Sequence, residues 1–428
     1  MTIALSVKQI SAPPLPLPSE RAKLKRELRA AQLKKKLMAL TLIAPLAVFL
    51  LIIFIVPIAV LLVRGVENPE VAGSLPTTLQ TLADWDRQSL PTAPSFAALV
   101  ADLSVVKASG NGGTLARRIN SEIPGARSIV MSTLRALPLH DEQGAPLAGE
   151  QIKPALIALH EEWGQLDYWQ VIAKNSHFYS PYYVLASLDM KQDGQGHIVP
   201  VEQEQAVYLK IFSRTFFISL VVSLCCLALA FPLAYCLSLM NERRANLLMI
   251  LVLIPFWTSI LVRVAAWIVL LQSEGLVNKT LMAAGLIQSP FELLFNRFGV
   301  IVSMTHILLP FMILPLYSVM KAIPVTYMRA AISLGSHPFA AFWRVYVPQT
   351  IPGVAAGSLL VFILALGYYI TPALLGGPNE QMVSYYVAYF TNVTINWGMA
   401  CALGSLLLAA TLVLYAVYQR FTQTAASQ

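Results

Sequence analysis

Six stretches of this chain, 38–63, 216–239, 247–271, 299–320, 352–375 and 397–417, are apolar and long, and none contains an aspartate or glutamate. Crossing the hydrocarbon layer of a bilayer takes roughly 20 residues at about 1.5 Å rise per residue, so each stretch reads as a spanning helix. Only 12% of the residues are charged and 57% are hydrophobic, a balance that cannot cover a water-facing surface. The net charge of +8 does not describe a nucleic-acid groove. Nine of the thirty basic residues fall within the first 36 positions and the rest form no cluster. Cys225, Cys226, Cys236 and Cys401 lie in apolar runs without zinc spacing and read as small buried hydrophobes.

The first stretch is too long for a signal-peptide core and lacks a small-residue cleavage site, so it reads as a retained anchor. Ahead of it stand Arg21, Lys23, Lys25, Arg26, Arg29, Lys34, Lys35 and Lys36 against Glu20 and Glu27, which keeps residues 1–37 in the cytoplasm. Alternation across the six spans then puts Arg243, Arg244, Lys321, Arg329, Arg344 and Arg420 on the inner side. Residues 67–205, with 16 acidic and 9 basic side chains, lie outside. Pro45, Pro57, Pro232, Pro255, Pro310 and Pro315 fall within spans and are expected to kink them. Arg263 is the basic residue well inside a span, at a cost of about 3 kcal/mol if left buried and unpaired. Eight residues, about 12 Å, separate it from Leu271, so either its side chain snorkels to the outer headgroups or it faces a neighbouring subunit or a solute pathway.

Between the fourth and fifth spans the pattern predicts a helical hairpin over 324–348. Pro324 opens a helix over 325–334, Gly335 ends it in the left-handed region, Ser336 caps a second helix and Pro348 stops that helix. In the second helix Phe339, Phe342, Trp343 and Tyr346 recur at i, i+3, i+4 and i+7, one broad aromatic face. Such a face requires cover, either by the chain's own spans or by another polypeptide.

The spacing Arg329-Ala330-Ala331, Gly335, Val345, Val347, Pro348 resembles the "EAA" loop of binding-protein-dependent ABC transporter permeases, with Arg329 in place of the family's glutamate. Ile254 to Ser259 with Arg263 and Trp267, Leu309 to Tyr317, and Thr371 to Gly377 extend the resemblance to the spermidine/putrescine-type subfamily over about 38–66 and 205–420. The resemblance implies an all-α polytopic membrane protein of the ABC importer permease type, with six transmembrane helices and an extracytoplasmic insertion. Its segments would be a basic cytoplasmic stretch 1–37, a first helix 38–66, the insertion 67–205, a five-helix core 206–420 and a cytoplasmic tail 421–428. It further implies two copies of a cytoplasmic ABC ATPase docked on 329–348, a second related permease subunit, and an extracytoplasmic solute-binding protein. The chain itself would be no enzyme and would need no cofactor.

Trp257, Arg263, Trp267, Glu274, Tyr317 and Glu380 are the candidate pathway residues. With no carboxylate in any span, a cationic solute would be read by rim acids such as Glu274, Glu292 or Glu380, by aromatic faces, or by another subunit. That absence also weighs against a self-sufficient secondary transporter, whose relays are usually intramembrane acids. A membrane-bound solute sensor is the other alternative. The insertion is much longer than a connector and carries core or interface material in Trp85, Phe96, Leu99, Trp163, Tyr168, Trp169, Phe178, Tyr182 and Tyr183. Its histidines, His140, His160, His177 and His197, make no compact ligand pattern, and Asp189 to Gly194 reads as a hairpin or surface turn rather than a calcium loop.

Overall fold

The computed structural model describes residues 18–141, 143–193 and 196–426. The side chains of Arg21, Lys23, Lys25, Arg26 and Arg29 and of residues 421–426, together with residues 427–428 of the tail and Gly194 of the expected turn, lie outside what is described. The chain divides into two units, Met1–Val60 and Leu61–Gln428. In the first, a helix over Pro18–Leu50 continues through a π turn, Leu51–Ile55, into Val56–Arg64. Leucine, isoleucine and phenylalanine are exposed all round it, the surface expected of a helix solvated by lipid.

Six helices, Ala31–Arg64, Tyr208–Leu239, Ile260–Ala283, Arg297–Ala322, Pro338–Leu366 and Trp397–Arg420, are long and apolar enough to cross a membrane. Within the second unit the helices Tyr208–Leu239, Arg297–Ala322 and Val347–Leu366 pack on one another around buried Cys226, Met304, Met312, Leu316, Val361 and Ala365. Two glycines allow the closest approach: a Cβ on Gly353 would lie 3.0 Å from the Cβ of Val319, and one on Gly357 2.8 Å from the sulfur of Met312. Small residues at such a crossing let helix backbones meet where lipid offers no competing hydrophobic drive.

Two span boundaries differ from expectation. The stretch 247–271 is not one helix. Glu242–Leu253 gives way to a 3₁₀ turn at Ile254–Trp257, and a new helix starts at Ile260. Pro255 has no N–H to continue the α ladder, and Thr258 and Ser259 turn extended. The fifth span ends at Leu366 rather than 375, and a separate short helix, Ile370–Leu375, follows. Pro348 does not stop its helix either. A π turn, Phe342–Tyr346, lies just before it, and the Val347 N–H bonds to the Phe342 carbonyl. The same device precedes Pro57, where the Val56 N–H bonds to Leu51. In both places the wider turn makes room for the pyrrolidine ring and absorbs the missing donor, so the helix runs on.

The insertion is a packed helical layer. Ala93–Ser109, Gly112–Asn120, Ala126–Ala136, Ile152–Leu159 and Leu166–Lys174 bury Phe96, Leu99, Trp163, Tyr168 and Trp169, with Trp85 at the edge. The Trp163 indole donates to Thr133 Oγ1 at 3.0 Å and that of Trp169 to the Trp163 carbonyl at 2.9 Å, so neither buried N–H is orphaned. Of the aromatics expected as core or interface, three lie outside this core. Phe178 is 46% exposed, and Tyr182 and Tyr183 pack with Ile211, Val383 and Met399 of the bundle instead. A β-hairpin, Met190–Gln192 with Ile198–Pro200, is an exception to an otherwise helical fold.

The insertion is tied to the bundle at named points. Asp189 accepts from the amides of Val207, Tyr208 and Leu209 at 3.1, 3.0 and 2.8 Å, capping the N-terminus of the second span with a negative charge. Arg117 donates to the Ile395 carbonyl at 2.9 Å. Behind these lies a buried network in which Arg118 reaches Glu122 at 2.9 Å and Lys174 reaches it at 2.8 Å. The Arg118 guanidinium also lies 3.6 Å over the Tyr182 ring and bonds to Asn68 and Asn175.

Burial alone would raise the Glu122 carboxyl, but the charges of Arg118 and Lys174 and the donors of Lys174 and Asn175 hold it below its ordinary value of 4.5. A depressed carboxylate contributes stability that is present at neutral pH and is lost as pH falls through the folded-state value. Glu122→Ala should therefore cost about 3 kcal/mol near pH 7 by leaving the buried Arg118 and the half-buried Lys174 without their carboxylate. The deficit should shrink below pH 4.5, as read by thermal unfolding in detergent across pH.

Candidate functional site

The hairpin after the fourth span starts at Pro324 with the helix Val325–Ser333. Gly335 has φ +91°, and its N–H bonds to Ile332 while that of Ser336 bonds to Ala331, so the last carbonyls of the helix are satisfied by a left-handed reversal. The second arm is capped by His337 rather than Ser336: its Nδ1 accepts from the Phe339 N–H at 3.3 Å, and Pro338 takes the first helical position. That arm has no end of its own. From Pro338 it continues through the π turn to Leu366, so hairpin and fifth span are one helix of 29 residues.

The π turn also divides the aromatic face. Phe342 and Tyr346 turn inward and stack at 5.6 Å, each meeting Tyr235 of the second span edge-on at 5.2 Å, with Tyr346 and Ser238 hydroxyls 3.4 Å apart. Phe339 and Trp343 turn outward, 68% and 54% exposed, and touch edge-on at 6.3 Å. Of the two covers weighed from the sequence, the chain's own spans take half of the face, Phe342 and Tyr346, and Phe339 and Trp343 stay uncovered. Beside the exposed pair lie Val325, Tyr327, Ile332 and Leu334, also exposed. Arg329, Ala330 and Pro348 are exposed, and Ala331, Val345 and Val347 half-buried. Arg329 forms no ion pair among the described residues.

The candidate pathway residues do not form one site. Trp257 is 77% exposed at the break in the third span, and Tyr317 packs on the bundle interior. Glu274 lies 3.8 Å from Lys279, and Glu380 binds Arg297 through two contacts of 2.8 and 3.1 Å, so these two rim acids already have cations. Arg263 and Trp267 do sit together. The Trp267 indole donates to His306 Nδ1 at 3.3 Å, and Arg263 lies within electrostatic reach of His306 and Tyr368. His306 and Tyr368 were not singled out from the sequence, and Thr371 only as the start of a block carrying the resemblance. The signal for His306 was present, since it is an ionisable side chain inside a span, which marks a functional position by default.

A cavity of about 680 Å³ opens where the insertion meets the second span, lined by Glu122, Asp167, Lys174, Tyr182, Asp189 and Tyr208 among others. Its carboxylates Glu122 and Asp189 are already engaged by cations and amides.

Residues 215–426 match the family described as "Binding-protein-dependent transport system inner membrane component". The spermidine/putrescine transport system permease protein PotB of Haemophilus influenzae is 34% identical over 216 residues, 50% of this chain and 75% of its own length. PotB of Escherichia coli K12 is 32% identical over 197 residues, 46% of this chain and 71% of its own. A chain of a bacterial alginate ABC transporter superposes with TM-score 0.43 and 17% identity, over 51% of this chain and 78% of that one. The family match begins after the insertion, which has no counterpart in it.

The divided aromatic face has a direct test in the isolated protein. Phe342→Ala should lower stability by about 3 kcal/mol because it empties a packed site, whereas Trp343→Ala should stay within about 0.5 kcal/mol. Thermal unfolding of the two purified variants in detergent distinguishes them, and equal losses would mean that Trp343 too is a packing residue.

Proposed function

We infer how the chain works from one premise: it belongs to the family of binding-protein-dependent transport system inner membrane components and is the permease subunit of an ABC importer, a multi-pass inner-membrane protein. Its cargo is a polyamine of the spermidine/putrescine class, a reading supported by the PotB relatives. Its hairpin over 329–348 lies on the cytoplasmic side, where Arg243, Arg244, Lys321 and Arg329 gather as positive-inside charge, and both termini lie on that side. The insertion lies outside, toward a solute-binding protein. A cytoplasmic ABC ATPase docks on the hairpin, two copies serving this chain and a second permease subunit, and hydrolysis belongs to those partners.

The observation that carries the reading is the continuity of Pro338–Leu366. An ATPase gripping Phe339 and Trp343 holds the end of a helix roughly 40 Å long whose other end lies in the bundle. No flexible connector intervenes. Phe342 and Tyr346, locked on Tyr235, spread the same displacement to the second span. The nucleotide cycle would then bias the spans between inward- and outward-open arrangements by as much as the docked partner prefers one hairpin position over the other. Gly335 is the joint, since a side chain at φ +91° would cost roughly 1–2 kcal/mol.

Two variants test this. Trp343→Ala should leave membrane abundance unchanged while at least tenfold less ATPase co-purifies and uptake is abolished. Gly335→Val should keep most of the ATPase bound but uncouple hydrolysis from transport. Radiolabelled spermidine, putrescine, amino acids and opines, offered to the native complex, identify the cargo. Normal ATPase recovery and uptake with Trp343→Ala would reject the docking role, and uptake of amino acids alone would reject the polyamine assignment.

A further inference from the structure

We propose that Arg263 is the buried cation of the contact between the two permease subunits, and that the second subunit is a different chain which brings an aspartate or glutamate within one of its own spans to meet it. This rests on the importer reading above and names what that reading leaves open, the chemistry that joins the pair.

Arg263 stands about 12 Å from the Leu271 end of its helix, and His306, nine residues into Arg297–Ala322, about 14 Å from the same end of the bundle. The helix bearing Arg263 packs on those bearing His306 and Thr371. The indole of Trp267 can only donate, so His306 Nδ1 must accept, and the neutral ring then carries its proton on Nε2, a second donor. Arg263 Nε is buried without a hydrogen-bond partner among the described residues, while the buried hydroxyls of Tyr368 and Thr371 face each other. His306 itself is exposed on the bundle at this depth. The guanidinium and the imidazole N–H lie within electrostatic reach of each other, two donor groups with no acceptor-only group paired to them among the described residues, which suits an anion.

The chain does not supply that anion. None of the six apolar stretches holds an acid, Glu380 is bound to Arg297, and Glu274 lies beside Lys279. A second copy of this chain would bring another Arg263 and no carboxylate. Lipid phosphates lie at the headgroup level, whereas Arg263 Nε is buried in protein. A cationic cargo would be repelled by an unneutralised guanidinium, so the pathway reading needs the same counter-charge. A carboxylate on the facing subunit meets each requirement, and its desolvated pairing would select that subunit against a copy of this one.

The test starts from the intact transporter. The tagged chain should co-purify with a second permease of different sequence carrying an acid in a span, and recovery of only this chain with its ATPase would overturn the proposal. Arg263→Glu should cut the co-purified second permease at least tenfold at unchanged abundance of this chain, and Arg263→Lys should keep at least half of it. Combining Arg263→Glu with an arginine in place of the partner's span acid should restore the pair. Wild-type assembly by Arg263→Glu, with only uptake lost, would overturn the proposal and assign Arg263 to the pathway. Should Arg263→Glu not accumulate, Arg263→Cys should cross-link to a cysteine at the partner's acid under mild oxidation, and failure of every such pair would again overturn it. These results are separate from the importer reading, which fails if the wild-type complex neither holds an ATPase nor imports solute.

Discussion

A bilayer interior offers no water to a backbone N–H or carbonyl, and every irregularity in this chain is placed where protein meets that constraint. Two prolines that would end a helix in solution are instead preceded by π turns, at Leu51–Ile55 and Phe342–Tyr346, and the ladder resumes beyond them. Where the chain does break, at Ile254–Trp257, a 3₁₀ turn and the Thr258 hydroxyl bonded to the Pro255 carbonyl take up the freed groups. At the start of the second span the carboxylate of Asp189 does so from outside the helix.

The same constraint explains how function is distributed. Because the π turn preserves the helix across Pro348, the exposed surface of Phe339 and Trp343 and the fifth span belong to one continuous helix, and two inward aromatics fasten it to a second span. Because an unpaired charge is costlier at membrane depth than an unpaired hydroxyl, Arg263 with its buried Nε stands apart from the unpaired hydroxyls of Ser219, Ser303 and Thr305. The insertion obeys the rules of a soluble domain instead, with satisfied indoles, a paired charge network and a core of its own.

Much of this was legible in the sequence. The spans follow from hydropathy and length, the hairpin from Pro324 and Gly335, and the insertion core from its tryptophans. The misreadings share a cause. Pro348 looks like a stop because local propensity does not register a wider turn five residues earlier. Ser336 looks like the cap because serine is the better cap residue, yet the left-handed reversal at Gly335 uses the Ser336 amide to close the first helix, and the cap falls to His337. Tyr182 and Tyr183 read as core or interface from their aromatic character alone, and it is the tertiary packing on Ile211, Val383 and Met399 that makes them interface.

By itself the sequence determined how many times the chain crosses, where it hinges, and that four aromatics recur at helical spacing, since transfer from water and backbone sterics act over a few neighbouring residues. Only the tertiary structure decided which two of those aromatics stay uncovered, that the hairpin arm and the fifth span are continuous, and that Arg263 lies within electrostatic reach of His306 and Tyr368. Those outcomes depend on the packing of helices tens to a hundred residues apart, where the shape and polarity of a distant neighbour select among arrangements that local pattern leaves equal.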